Sequence, residues 1–176
     1  MQTREGATLD KPSEMMTFYM SVCELGFCII LIIFVFYNFM KQLFINLPVS
    51  DLDKSMKFYQ SLGFTNNLLF TDEDQKCMVW SDSIYIMLQS RQFSNSYLVK
   101  QMVDVRNYQI PSFTLPVESV ELVNEMMAMG INAGGFEPIP SINEGFMFLR
   151  SIEDMDGYVW GIMCLDVEKF KSLKSI

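Results

Sequence analysis

Apolar and polar positions alternate through Leu43, Phe44, Ile45, Asn46, Leu47 and Pro48, the period of two that belongs to a strand whose faces meet different surroundings. The period then changes. Leu52, Met56, Tyr59 and Leu62 recur at helical spacing and make one apolar stripe, with Asp51 where an N-cap belongs. Gly63 follows as the residue that can close a helix in the left-handed conformation, which lets a second strand leave through Phe64. The stretch from Phe44 to Phe64 therefore predicts a β-α-β unit whose helix lies on the Leu43, Ile45 and Leu47 face.

A polar turn at residues 71–75, a strand over Lys76–Trp80, a turn at Ser81-Asp82-Ser83 and a strand over Ile84–Leu88 extend this to βαβββ. Residues 89–109 read as a polar connector with a short helix around Tyr97–Val103. A second module begins at Ile110, where Leu115-Pro116-Val117 repeats Leu47-Pro48-Val49. Its helix is expected over Glu118–Met129, with Val120, Val123 and Met127 on one face and Gly130 closing it as Gly63 closes the first. Three strands follow at Ala133–Glu137, Phe146–Ser151 and Tyr158–Cys164. The expected organisation is an extension at 1–39, a domain at 41–167 and a C-terminal tail at 168–176. Within the domain lie module one at 41–90, the connector at 91–109 and module two at 110–167.

Residues 1–14 are polar and aperiodic and read as disordered. The run Leu25–Tyr37 is apolar apart from Gly26 and the tyrosine hydroxyl. A membrane helix needs about 20 apolar residues, and extending this run backwards to that length takes in Glu24, Ser21 and Thr17. A secretory signal fits poorly, because Arg4 and Lys11 are offset by acids and no small-residue cleavage site follows. Three readings stay open for 1–39: a dispensable extension, a membrane anchor through the Leu25 to Phe39 region, and a helix docked on the domain.

Composition narrows the function classes. With 13 basic against 21 acidic residues and a net charge of -8, and no basic cluster interleaved with aromatics, a nucleic-acid partner is not expected. Cys23, Cys28, Cys77 and Cys164 form no C-x-x-C pair and no zinc spacing, which makes a reducing, cytoplasmic location the default, with membrane anchoring as the alternative. The chain contains no histidine, so it lacks the commonest general base, the usual metal ligand and every Ser-His or Cys-His nucleophile arrangement.

Val49, Asp51, Leu52, Ser55, Phe58, Tyr59, Leu62, Gly63 and Phe64 match a V-x-D-L-x-x-S-x-x-F-Y-x-x-L-G-F run, and Asp154-Met155-Asp156-Gly157-Tyr158 is similar to a D-P-D-G-Y turn. On these two signals the chain resembles the vicinal oxygen chelate superfamily of glyoxalase I, bleomycin resistance proteins and extradiol dioxygenases. The resemblance implies an α+β fold in which two βαβββ modules form a curved mixed-sheet trough. It also implies four trough positions that hold a divalent metal in the family, which fall here on Phe44, Met87, Ser112 and Gly161.

Alternation independently puts Tyr85 and Met87 opposite the face of Ile84, Ile86 and Leu88, and puts Val159, Gly161 and Met163 opposite Trp160, Ile162 and Cys164. A phenyl ring, a thioether, a hydroxyl and a hydrogen cannot replace imidazole and carboxylate around Zn, Ni, Mn or Fe, so no metal and no other cofactor is expected. The candidate ligand-binding residues are Phe44, Asn46, Tyr85, Met87, Ser112, Thr114, Val159, Gly161 and Met163, a surface suited to a small uncharged or aromatic molecule. The same side chains could instead fill that space themselves. Arg150, near the Asp-Gly turn, could meet a carboxylate ligand but is expected rather to pair with Asp154 or Asp156, and those two aspartates to make turn hydrogen bonds rather than acid-base chemistry.

The sequence thus favours a metal-free binding protein over a lactoylglutathione-lyase-like or dioxygenase enzyme of the same superfamily, and over a dimeric module with no small ligand. A homodimer is expected, and membrane contact would run through the N-terminal segment.

Overall fold

In the computed structural model of the chain, which describes residues 41–108 and 110–174, β1 (Leu43–Val49) leads into α1 (Leu52–Ser61) through the Asp51 cap, whose carboxylate accepts the Lys54 N–H at 3.0 Å. Leu62 and Gly63 end the helix, Gly63 at a φ of 92°. β2 (Thr65–Asn66), β3 (Gln75–Ser81) and β4 (Ile84–Ser90) complete a sheet in the order β1-β4-β3-β2, with β1 parallel to β4 and the other pairs antiparallel.

The second module repeats this plan. β5 (Phe113–Val117), α3 (Val120–Asn132), β6 (Ile142–Asn143), β7 (Met147–Glu153) and β8 (Val159–Leu165) give the sheet β5-β8-β7-β6, again with the first strand parallel to the last. Between the modules lie α2 (Arg91–Tyr97) and a 3₁₀ turn at Val105–Asn107. The expected α+β fold of two βαβββ modules is the fold found.

Several boundaries differ from the sequence expectation, each for a physical reason. α3 does not stop at Gly130; it runs to Asn132, is capped by Ala133, and the left-handed residue is Gly134 at φ 105°. Gly130 is a packing glycine inside the helix, since a side chain begun there would collide with Ile152 Cδ1 and come within 2.9 Å of Leu62 Cδ2. The strand expected at Ala133–Glu137 is reduced to one bridge between Phe136 and Glu153. Gly135 leaves no room for a side chain against Phe58 and the Glu153 carbonyl, and beyond the bridge Pro138 and Pro140 remove the donors that would extend the pairing. The connector helix begins earlier than expected because Ser90 caps it, accepting the Phe93 N–H at 3.1 Å. The expected tail carries α4 (Val167–Lys174), which Asp166 caps and which packs Phe170 on Phe146 with ring centroids 5.0 Å apart.

One hydrophobic core serves both modules. Phe58, Tyr59 and Leu62 from α1 and Val123, Met126 and Met127 from α3 join Leu47, Val49, Ile86 and Leu88 of the first sheet and Ile152, Trp160 and Ile162 of the second. Burying each such side chain contributes about 1.5–3 kcal/mol, so neither module carries a complete core alone. No helix among the described residues is long and apolar enough to cross a membrane. The anchor and docked-helix readings of 1–39 lie outside the described residues.

Candidate ligand site at the seam of the modules

The two motif stretches are the two halves of one joint. Asp156, 3 % exposed, accepts the Ser50 N–H at 2.8 Å and the Ser55 hydroxyl at 3.2 Å, so module two supplies a second carboxylate to the start of α1. Asp154 turns the chain by accepting the N–H groups of Asp156, Gly157 and Tyr158 on Oδ1, each at 2.9 Å. Its Oδ2 accepts the Tyr59 hydroxyl at 2.9 Å, and the Tyr59 oxygen in turn accepts Trp160 Nε1–H at 3.0 Å. Burial pushes the Asp154 carboxyl up to about 6 against the pull of these donors. Burial, with the Asp154 charge beside it, likewise pushes the Tyr59 phenol well up. The expectation of turn hydrogen bonds describes Asp154; the Asp156 carboxylate instead accepts from Ser50 and Ser55 of the first module.

Arg150 does not pair with either of them. Its guanidinium bonds Glu137 at 2.6 and 2.9 Å and Asn124 at 2.9 Å, and the hydrogen bonds from Arg150 hold the Glu137 carboxyl below its ordinary range. The cation facing the Asp-Gly turn is Arg91, whose Nη2 lies 3.7 Å from Asp156 Oδ1.

The sheet register places the trough residues in pairs. Phe44 lies opposite Tyr85, their rings stacked with centroids 4.7 Å apart, and Asn46 lies opposite Met87. Thr114 lies opposite Gly161, while Met163 has Pro116 as its neighbour. Phe44, Asn46, Ser112 and Thr114 are exposed, Tyr85, Val159 and Met163 half-buried, and Met87 and Gly161 buried. α2 packs against β1 and β4 at one end of this face, where Tyr97 donates its hydroxyl to Gln89 Oε1.

The family's metal does not fit this donor set. Of Phe44, Met87, Ser112 and Gly161, only the serine hydroxyl is an oxygen donor, and a side chain begun at Gly161 would meet Leu149 Cδ1 and Thr114 Oγ1 at 3.0 Å. Among the described residues no three Asp, Glu or Cys side chains gather where they could hold an ion.

Two cavities lie at the seam between β1 and β5 and beside it. A cavity of about 270 Å³ opens between the edge of β1 and the start of β5, walled by Ile45 to Pro48, Phe113 and Tyr158 and roofed by Met102, Val103, Val105, Ile110 and Pro111 of the connector region. Its polar groups are few. Tyr158 spends its hydroxyl on the Pro48 carbonyl at 2.9 Å, which leaves Asn46 and Arg91. Arg91 Nε is buried with no hydrogen-bond partner among the described residues. A second cavity of about 430 Å³ takes in Ser112 and Val159 together with Arg106, Tyr108, Ile139 and Glu153. Of the candidate residues read from sequence, Asn46 borders the first cavity and Ser112 and Val159 the second; Phe44, Tyr85, Met87, Thr114, Gly161 and Met163 border none described here.

Sequence reasoning missed the roof and Arg91. The signal was the apolar set Met102, Val103, Val105 and Ile110 inside an otherwise polar connector, more apolar surface than a linker needs.

The family model for the bleomycin resistance protein-like N-terminal region matches residues 41–81, from the start of β1 to the end of β3. No curated protein matches the chain. Among solved structures, a hypothetical protein from S. aureus superposes with a TM-score of 0.60 at 21% identity, over 74% of this chain and 98% of its own. A glyoxalase-related enzyme from Fulvimarina pelagi gives 0.60 at 20% identity, over 71% and 88%. A glyoxalase/bleomycin resistance protein/dioxygenase family enzyme from Burkholderia phytofirmans PsJN gives 0.56 at 14% identity, over 69% and 96%. Likeness at these identities establishes the fold.

Proposed function

We propose that the chain, which has the two-module fold of glyoxalase and bleomycin resistance-like structures, binds a small, largely apolar molecule without a metal and without turning it over by the metal-dependent chemistry of the vicinal oxygen chelate superfamily. The single observation that carries this reading is the cavity of about 270 Å³ at the seam, apolar on nearly every wall with two polar groups converging on it. The chemistry of the donor set supports the metal-free half: a site built on Phe44, Met87, Ser112 and Gly161 offers no imidazole and no carboxylate. Trough residues Phe44 and Tyr85, their rings stacked face to face on neighbouring strands, stay in the proposal as an aromatic pair on the strand that carries Asn46.

The test is a thermal-shift and calorimetric screen of the full chain against small apolar and aromatic compounds, with Zn, Ni, Mn and Fe as a separate arm. Saturable stabilisation by an organic compound and none by the metals is the expected result. One tightly held metal per purified chain by elemental analysis overturns the metal-free half and favours the lyase or dioxygenase alternative. A screen with no organic ligand at all favours the module without a small ligand.

A homodimer belongs to the same proposal, supported by the exposed apolar run Leu68, Leu69 and Phe70. Light scattering of the full chain decides it: twice the chain mass of 20.4 kDa is expected, and the single mass rejects it.

A further inference from the structure

We propose that the cavity of about 430 Å³ beside the Asp-Gly turn binds a small organic ammonium ion with an apolar body, held by the Glu153 carboxylate. This goes beyond the reading of the seam cavity and does not rest on it. Val105 and Ile110 border both cavities, but Asn46 and Arg91 line only the first and Glu153 only the second.

Strand pairing turns the Glu153 side chain to this space. Glu153 exchanges both of its backbone hydrogen bonds with Phe136, at 2.8 and 3.0 Å, so it meets Val159 on its other side as a non-hydrogen-bonded pair, the kind whose side chains stand closest. The adjoining pair, Ile152 and Trp160, lies in the core. Alternation therefore sends Glu153 and Val159 to the opposite face, where both border the cavity.

The hydrogen-bonding capacity left in the wall is that of an acceptor. Arg106 gives its Nε–H and an Nη2–H to Asp104, each at 2.8 Å, and Asn107 gives an amide N–H to the same carboxylate at 3.2 Å. The Arg106 charge is thus matched by its Asp104 partner. Glu153 takes part in no ion pair among the described residues. Its carboxylate, the Ser112 hydroxyl and the Asn107 amide oxygen remain to accept. A ligand with N–H donors and one positive charge supplies what this wall lacks, and the chain's net charge of -8 favours a cation further. A divalent metal does not fit, because one carboxylate among neutral side chains gives it too few charged ligands. Tyr108, Ile139 and Val159 supply apolar surface for the body of the ligand.

The experiment titrates the full chain by isothermal calorimetry with three probes of one skeleton: phenethylamine, a cation; 2-phenylethanol, which is neutral; and phenylacetate, an anion. Phenethylamine is expected to bind tightest, with phenylethanol about tenfold weaker and phenylacetate weaker still. Glu153→Gln keeps the size and removes the charge, so it should weaken phenethylamine about tenfold and leave phenylethanol within about twofold. Val103→Trp, in the roof of the seam cavity, should leave phenethylamine unchanged.

Phenylethanol or phenylacetate binding as tightly as phenethylamine, or a Glu153→Gln chain that holds the amine unchanged, overturns the proposal. A Val103→Trp chain that loses the amine overturns it too, by moving that ligand to the seam. So does the absence of any phenethylamine binding to the unaltered chain, a comparison that stands even where a variant folds poorly. None of these results removes the seam cavity's own reading, which is decided by its apolar and aromatic screen.

Discussion

The Tyr59 hydroxyl donates to Asp154 Oδ2 at 2.9 Å although the two residues are 95 positions apart, and the same oxygen accepts from Trp160. Both partners are buried, and this one hydroxyl joins the first module's helix to both the indole and Asp154 of the second. Tyr59→Phe keeps the ring and its edge contacts with Phe58, Phe64 and Trp160, but strips both polar partners. A loss of about 2–3 kcal/mol in urea unfolding, with an unchanged m-value, is expected. A loss below half of that would mean that Asp154 and Trp160 find other partners.

Asp154 makes stability depend on pH in an unusual direction. The folded state holds its proton up to about pH 6, against the ordinary 3.8 of a free aspartate side chain. Between those values the folded state binds more protons than the unfolded one, so this group's contribution is full below the lower value and is lost as pH rises through the upper. The size is up to about 3 kcal/mol. Asp154→Asn cannot titrate, so the stability of the unaltered chain relative to this variant should fall between pH 4 and pH 7. A difference that is flat or rises with pH rejects the raised value.

Gly63 and Gly157 form a matched pair for substitution. Both have positive φ, 92° and 103°. A side chain begun at Gly63 meets only Trp80 at 3.7 Å, an ordinary contact, whereas at Gly157 it meets Arg106 Cγ, N and Cα at 2.7, 2.8 and 3.0 Å. Gly63→Ala should cost about 1–2 kcal/mol from backbone strain alone. Gly157→Ala should cost about 1–3 kcal/mol more, because the connector's backbone has to move. Equal losses in denaturant unfolding would show that the connector yields freely at this point.

The reading of residues 1–39 as dispensable is tested by removing them. A chain that starts at Met40 should unfold in one cooperative step at the denaturant midpoint of the full chain. A clearly lower midpoint favours the docked helix, and full-length chain that stays in the membrane pellet after carbonate extraction favours the anchor.

Local signals carried most of the fold. The Asp51 cap, the Gly63 terminus and the alternation along β1, β4, β5 and β8 depend on neighbours in sequence, and these elements lie where the pattern put them. Gly130 was misread because a glycine inside a helix looks like its end until Leu62 and Ile152 are seen to press against it. Arg150 was assigned to the nearer aspartates, yet its carboxylate is Glu137, brought alongside only by the fold. The strand alternation sorted Phe44, Tyr85, Thr114 and Gly161 by face, but which of them border empty space depends on the connector. That segment has neither repeat nor period, so its apolar residues marked it as more than a linker without showing what they cover.

The joint between the modules also sets a timetable for synthesis. Ser50, Ser55 and Tyr59 find their aspartates 106, 101 and 95 residues later in the chain. At translation rates of about 5–20 residues per second, the ribosome needs roughly 5–20 s to deliver them. Through that interval the first module leaves the exit tunnel with Phe58 and Leu62 uncovered by their partners in the second. The nascent half-protein is therefore the form of this chain most in need of a chaperone.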